Sequence, residues 1–239
     1  MTEFFSSIAE RFSFLGEYFP LYISGTLTTV IISLFTVLFG TVIGIIFALM
    51  KLSKLKIVKA IASTYIEIVR GTPVIVQVFI WYYGLDSIID IPDYYIGNSD
   101  SLNIAQLIPG ALALALNSAA YVAEIIRAGI LAVDKGQAEA AQSLGMKSPM
   151  IMRYIIMPQA IKNILPAIGN EFVVLIKESS ILYVIGIQEL MAKTSTIQSS
   201  TFLTIPPLVV TSIIYFILTF SLSRLIGGFE RRLNKNDRN

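Results

Sequence analysis

The chain holds no histidine and no cysteine, so any chemistry rests on carboxylates, amines, amides and hydroxyls. That excludes imidazole and thiol catalysis, disulfides, and the usual zinc and haem ligand sets. The polar residues inside its apolar stretches are few, and several are spaced to share a helix face. Glu67 and Arg70 are three apart and become neighbours on a helix. Asn117, Tyr121 and Glu124 fall at i, i+4 and i+7, with Ser118 beside the first and Arg127 a turn beyond the last. Asn163, Asn170 and Lys177 recur every seven residues, next to Glu171 and Glu178. Such groups can hold a zwitterion: carboxylates take an ammonium, Arg70 a carboxylate, and the amides a neutral polar part. The same spacing also allows Glu67–Arg70 and Glu124–Arg127 to be internal ion pairs that only neutralise each other.

The elements that must position these groups are apolar. The 239 residues are 55% hydrophobic and 14% charged, with a mean hydropathy of +0.73. Soluble domains average about 25% charged residues, so the chain belongs to the membrane class. A net charge of +2 is too small to suggest nucleic acid. Residues 1–21 lack the basic start and cleavage site of a signal peptide. Phe4, Ile8, Phe12, Leu15 and Phe19 recur there at helical spacing, with Glu3, Glu10, Arg11 and Glu17 elsewhere. This predicts a helix lying in the membrane interface or packed against the bundle.

Spans are expected at about 22–50, 57–88, 104–132, 156–186 and 204–227, each long enough to cross roughly 30 Å of hydrocarbon. Gly40 and Gly44 form a GxxxG pair in the first, and Gly71-Thr72-Pro73 interrupts the second. Trp81, Tyr82 and Tyr83 read as an interfacial aromatic belt. The expected fold is all-α and integral to the membrane, with about five transmembrane helices. At 1.5 Å per residue, Glu67, Asn117 and Asn170 lie about 15–22 Å from one end of their spans, near the midplane. One set of span ends carries Lys51, Lys54, Lys56, Lys59, Lys135, Lys147, Arg153, Arg231, Arg232, Lys235 and Arg238; the other carries only Arg11 and Lys193. The positive-inside rule then puts the N-terminus outside and the C-terminus in the cytoplasm.

Between the third and fourth spans, DKGQAEAAQSLGMKSPMIMRYIIMP (134–158) is the least lipid-like internal stretch. Asp134 can cap a short helix, with Gln137 placed to reach back to the cap's amide. Gly145 is placed to end that helix in a left-handed turn. Ser148-Pro149 can restart the next helix, a hydroxyl cap followed by proline at the first helical position. Within this stretch Glu139-Ala140-Ala141, Gly145, Ile155 and Pro158 resemble the EAA signature of binding-protein-dependent ABC importer permeases. Tyr65–Pro73 (YIEIVRGTP), Asn117–Arg127 (NSAAYVAEIIR) and Gly169–Phe172 (GNEF) are similar to its polar amino acid branch, so the resemblance covers nearly the whole chain.

The resemblance implies one permease domain of the type I ABC importer fold over 1–239. Its parts are an N-terminal helix at 1–21, spans one to three at 22–133, a cytoplasmic coupling helix at 134–148, spans four and five at 149–227, and a tail at 228–239. Gln137, Glu139, Ala140, Ala141, Ser143, Leu144 and Gly145 are then expected to dock on a cytoplasmic ABC ATPase dimer. Glu67, Arg70, Asn117, Ser118, Tyr121, Glu124, Asn170 and Glu171 are expected at the substrate. Further implied partners are a second permease copy or close paralogue, an extracytoplasmic substrate-binding protein, and the bilayer of a bacterial inner membrane. The acidic linker 86–100 and the Ser/Thr-rich segment 187–203 are candidate docking surfaces for the binding protein. No cofactor is expected on this chain, with ATP and Mg in the partner, since no GxxxxGK[ST] phosphate loop is present. An ion-driven secondary transporter or channel is the alternative, although no internal repeat is evident. An intramembrane enzyme is disfavoured, since Lys177, Ser179 and Ser180 sit too close in sequence for a Ser–Lys pair.

Overall fold

A computed structural model describes residues 11–89, 91–96 and 102–235. Glu3, Phe4, Ile8, Glu10, Asp90, Asp100 and Arg238 fall outside these residues. Helix α1 (Leu15–Lys51) runs for 37 residues through the boundary expected at 21/22. The start of α1 is therefore a continuation of the first span. Phe14 and Tyr22 pack with Leu190 and Ile197, which favours docking on the bundle over lying in the interface.

The second span breaks where proline demands it. Helices α2 (Lys56–Gly71) and α3 (Val74–Asp86) meet at 108°. Thr72, forced out of the helical region by Pro73, is extended at φ −120° and ψ 146°. A break inside a membrane exposes carbonyls that water cannot reach. Here Thr72 Oγ1 donates to the Ile68 carbonyl (2.9 Å), and Gln77 Nε2 donates to the carbonyls of Val69 (2.8 Å) and Thr72 (3.1 Å). Trp81 and Tyr82 are half-buried against a core cluster, so of the expected aromatic belt only Tyr83 is exposed.

The acidic linker contains a short antiparallel pair, β1 (Tyr95–Ile96) with β2 (Leu102–Asn103). Asn103 donates to Asp93 (2.7 Å) and caps α4 (Ile104–Leu131) by accepting from Ala105 N (3.0 Å). Helix α4 is the centre of the bundle, packed on α1, α2, α3 and the fourth span. Its seam with α1 uses the GxxxG pair: a Cβ on Gly40 would stand 3.0 Å from Ser118 Cβ, and one on Gly44 would stand 2.8 Å from Val122 Cβ. Only hydrogen fits there.

Helix α5 (Lys135–Ser143) comes next. Asp134 caps it as expected, but its carboxylate accepts from Gly136 N (2.6 Å) rather than forming a reciprocal box with Gln137. The chain then restarts as α6 (Ser148–Ile151), where the cap residue is Lys147 and the Ser148 hydroxyl makes no capping bond. A π turn (Met152–Ile156) joins it to α7 (Met157–Glu178). Pro158 donates no N–H, so the Tyr154 carbonyl four residues back loses its α-helical partner and the backbone loosens just upstream. Gln159 Nε2 donates to the adjacent Ile155 carbonyl (2.9 Å). The helix restarts at Ser148 and α7 begins within a residue of the expected start of the fourth span, which ends in a 3₁₀ stretch (Ser179–Ile185).

Helix α8 (Leu190–Thr201) is part of the bundle rather than a surface segment: Leu190, Ala192, Lys193, Thr194 and Ile197 are buried. Its cap, Glu189, is fully buried and accepts from Met191 N (2.9 Å), Ala192 N (2.8 Å), Tyr215 Oη (3.1 Å) and Thr29 Oγ1 (3.4 Å). One carboxylate thereby fastens α8 to α1 and to α9 (Ile205–Lys235). Among the described residues, α1, α4 and α9 are long and apolar enough to cross a membrane, and α2 with α3 pass the same measure together as a bent pair. Helix α7 is about 33 Å long at 1.5 Å per residue but too polar by that measure, carrying Lys162, Asn163, Asn170, Glu171 and Lys177.

Candidate functional site

One turn of α4, residues 117–121, brings polar groups from three other elements together inside the bundle. Asn117 is 4% exposed and donates through Nδ2 to Gln77 Oε1 (3.1 Å), the residue that also seals the α2–α3 break. Ser118, fully buried, donates to Glu171 Oε1 (2.9 Å) on α7, itself 8% exposed. Tyr121 is partly exposed, and the guanidinium of Arg70 on α2 lies 5.3 Å from its ring centroid, within cation–π range. Three elements, α2, α3 and α7, therefore place a polar group against residues 117–121. Ionisable and amide groups inside a bilayer are costly and tend to line interiors or cavities.

Not every expected residue joins this cluster. Glu67 and Arg70 do not pair with each other; both are exposed on α2. Asn170 is exposed on α7, one position from Glu171, and Asn163 and Lys177 of the same heptad row are exposed as well. The Glu124 carboxylate pairs with Lys51 Nζ at the end of α1 and with Arg127 Nη2 (2.9 Å). This three-charge knot sits about one turn below Tyr121. It matches the ion-pair alternative for Glu124 and Arg127 and adds Lys51, which ties α1 to α4.

Gln77 is the residue that sequence reasoning missed. Its signal was present, an amide inside the apolar run VIVQVFIW four residues after Pro73.

On the opposite side of α4's C-terminus, α5 offers a small, exposed platform. Ala141 is buried, while Gln137, Glu139, Ala140, Ser143, Leu144 and Gly145 are exposed, Leu144 at 83%. Gly145 has φ +79°, Met146 N donates to Ala141 O (3.1 Å), and Gly145 N donates to Gln142 O (2.9 Å). These are the two bonds of a Schellman turn. The turn redirects the chain into α6 and the π turn.

Residues 40–235, which hold the bent span, the buried polar turn and the capped EAA helix, match the family described as the binding-protein-dependent transport system inner membrane component. The chain belongs to that family. This permease is 39% identical to a putative glutamine transport system permease protein GlnP of Rickettsia bellii, over 93% of its own length and 98% of the relative's. It is 38% identical to the arginine transport system permease protein ArtQ of Bacillus subtilis, over 91% and 94% of the two chains. A crystal structure of an amino acid ABC transporter with histidines superposes with a TM-score of 0.83 at 48% identity, covering 91% of this chain and 96% of that one. An inward-facing MetNI methionine ABC transporter shares the fold, with a TM-score of 0.73 at 16% identity. The permease therefore has the type I ABC importer fold and is the permease subunit of an amino acid ABC importer. It is a transport component of the membrane.

Proposed function

We propose that this permease carries polar amino acids past the α4 turn at residues 117–121, through a pathway completed by a second permease chain. The observation that carries this reading is the convergence of Gln77, Arg70 and Glu171 on Asn117, Tyr121 and Ser118 along one face of the central helix. Arg70, exposed and, among the described residues, held by the Tyr121 ring alone, is available to a substrate carboxylate. Glu67 and Glu171 are the acids near enough in sequence and packing to meet an ammonium. Asn170, with Asn163 and Lys177, continues the polar surface along α7.

A single copy leaves Glu67, Arg70, Asn163, Asn170 and Lys177 exposed on spans that lipid would surround. Lipid is a poor solvent for all five, so a second copy or close paralogue enclosing a wet pathway accounts for them. The names of the relatives, glutamine and arginine permeases, fit a zwitterion with a neutral polar or cationic side chain.

Energy reaches the site through α5. The exposed Leu144 and Glu139 suit a groove on a cytoplasmic ATPase dimer, and the Schellman turn at Gly145 passes its movement to α7. The excess of Lys and Arg at that end of the spans supports a cytoplasmic α5, an extracytoplasmic N-terminus, and a binding protein delivering ligand to the other face. ATP and Mg then belong to the ATPase chains.

Replacing Arg70 by Met tests the substrate role. Loss of a charged hydrogen bond costs about 1.5–3 kcal/mol, so the amino acid concentration that half-stimulates ATP hydrolysis should rise roughly ten- to a hundredfold. The complex should remain assembled in detergent. A variant that dissociates while keeping its ligand affinity would make Arg70 a structural residue instead.

A further inference from the structure

Helix α8 ends on a residue that neither the transport site nor the coupling surface uses. Phe202 has φ 57° and ψ 19°, and it is the only non-glycine residue at positive φ among the described residues. Its Cβ makes that region unfavourable, and a bulky residue there is a true outlier. Its side chain is nevertheless 92% exposed. Two bonds hold the strained turn: Gln198 Nε2 donates to the Thr204 carbonyl (2.7 Å), and Leu203 N donates to Thr201 Oγ1 (3.3 Å). An aromatic ring is thus kept out of the bundle on a braced backbone.

The neighbouring surface indicates what meets the ring. Helix α9 begins three residues later, and Ile205, Val209, Ile213 and Phe216 are all exposed at helical spacing, Ile205 at 64%. A shallow trough of about 340 Å³ runs along this stripe, lined by apolar side chains and Ser212. No Asp, Glu, Lys or Arg occurs between Lys193 and Arg224. A soluble partner protein is usually met by a polar, charged rim around its contact; an uncharged stripe on a spanning helix is the surface acyl chains cover. We propose that Phe202 is a bilayer anchor, inserting into the lipid interface where α9 enters and fixing the depth of that helix. Its partner is the lipid surface of the leaflet at the α8–α9 end.

The test uses the full chain reconstituted in vesicles with its importer partners. Trp81 is the one tryptophan of this chain, so Phe202→Trp combined with Trp81→Phe is read as the difference from the same complex carrying Trp81→Phe alone. Emission should shift to the blue and lose intensity in vesicles of brominated phosphatidylcholine, while aqueous iodide has no effect. Quenching by iodide without quenching by brominated chains would overturn the proposal. Resistance to both quenchers would place the residue in a protein contact and overturn it equally. A spectral change on adding the binding protein, with no response to brominated lipid, would make the turn a docking point instead. Should the tryptophan variant fail to assemble, Phe202→Cys gives a unique thiol in a chain that has none. A membrane-impermeant maleimide should then lose its labelling at 202 relative to Ser199→Cys, whose parent residue is exposed; equal labelling would overturn the anchor.

Discussion

At Gly145 one backbone angle joins the α5 platform to the fourth span. A Cβ there meets no atom within 4 Å, so a larger residue is opposed by φ +79° alone. Gly145→Val should cost about 1–2 kcal/mol at this turn while leaving the spans folded. We expect ATP hydrolysis that no longer responds to substrate, with unchanged helix content by circular dichroism; normal coupled transport would remove the turn from the mechanism. The glycine is legible in the sequence because a left-handed C′ residue has a strong composition cue. The partners of single polar side chains are not. Asp134 is readable as a cap, yet the donor it takes is Gly136. Glu124 can be read as ligand or ion pair, and only packing brings Lys51, 73 residues away, to its carboxylate.

Among elements, the α1–α4 seam is the firmest joint, and it has two fastenings. Gly40 and Gly44 let the backbones close at the centre, and the Lys51–Glu124–Arg127 knot holds the end. Glu124→Gln leaves two cations with one neutral amide between them. Partial exposure tempers the effect, so we expect a loss on the order of 1–3 kcal/mol, seen as earlier thermal unfolding in detergent. Affinity for amino acid should hardly change; a large loss of affinity would return Glu124 to the substrate site. Among the apolar spans α4 is legible almost to the residue, whereas α1 starts seven residues before its expected bound and α9 ends eight after. The π turn just ahead of α7 is not legible, because it has no simple periodic signature. Helix α8 reads as a surface segment because its Ser and Thr side chains satisfy themselves on its own carbonyls, as Thr194 does at Leu190 and Thr201 at Ile197. A helix that consumes its own polarity can be buried while reading as hydrophilic.

For the whole molecule, the exposed row Asn163, Asn170 and Lys177 is the place to test how chains meet. If a second permease copy encloses the pathway, single cysteines at Asn163 and at Asn170 should form inter-chain cross-links in the assembled importer. The absence of native cysteine makes that readout clean. Cross-linking at neither position, in an importer that still transports, would leave the row facing something other than a sister chain. The overall architecture is legible because lipid permits so few backbone solutions. The mutual position of α2, α3 and α7 around α4 is not, since it depends on a 108° bend whose size no proline motif specifies.

The π turn at Met152–Ile156 has one further consequence, which is angular. It admits one residue more than an α-helical turn would, and one residue corresponds to about 100° of helical phase. Everything beyond it is therefore rotated relative to the platform at α5, like a cam keyed onto its shaft at a chosen angle. Deleting Tyr154 should close the turn into ordinary α-helix and swing Glu171 away from Ser118, carrying Asn170 with it. Such a chain would still hold its spans and bind its ATPase, yet ATP hydrolysis would run unaffected by any amino acid. Restored stimulation on reinserting an alanine at the same place would show that spacing, rather than the tyrosine, sets the timing of the stroke.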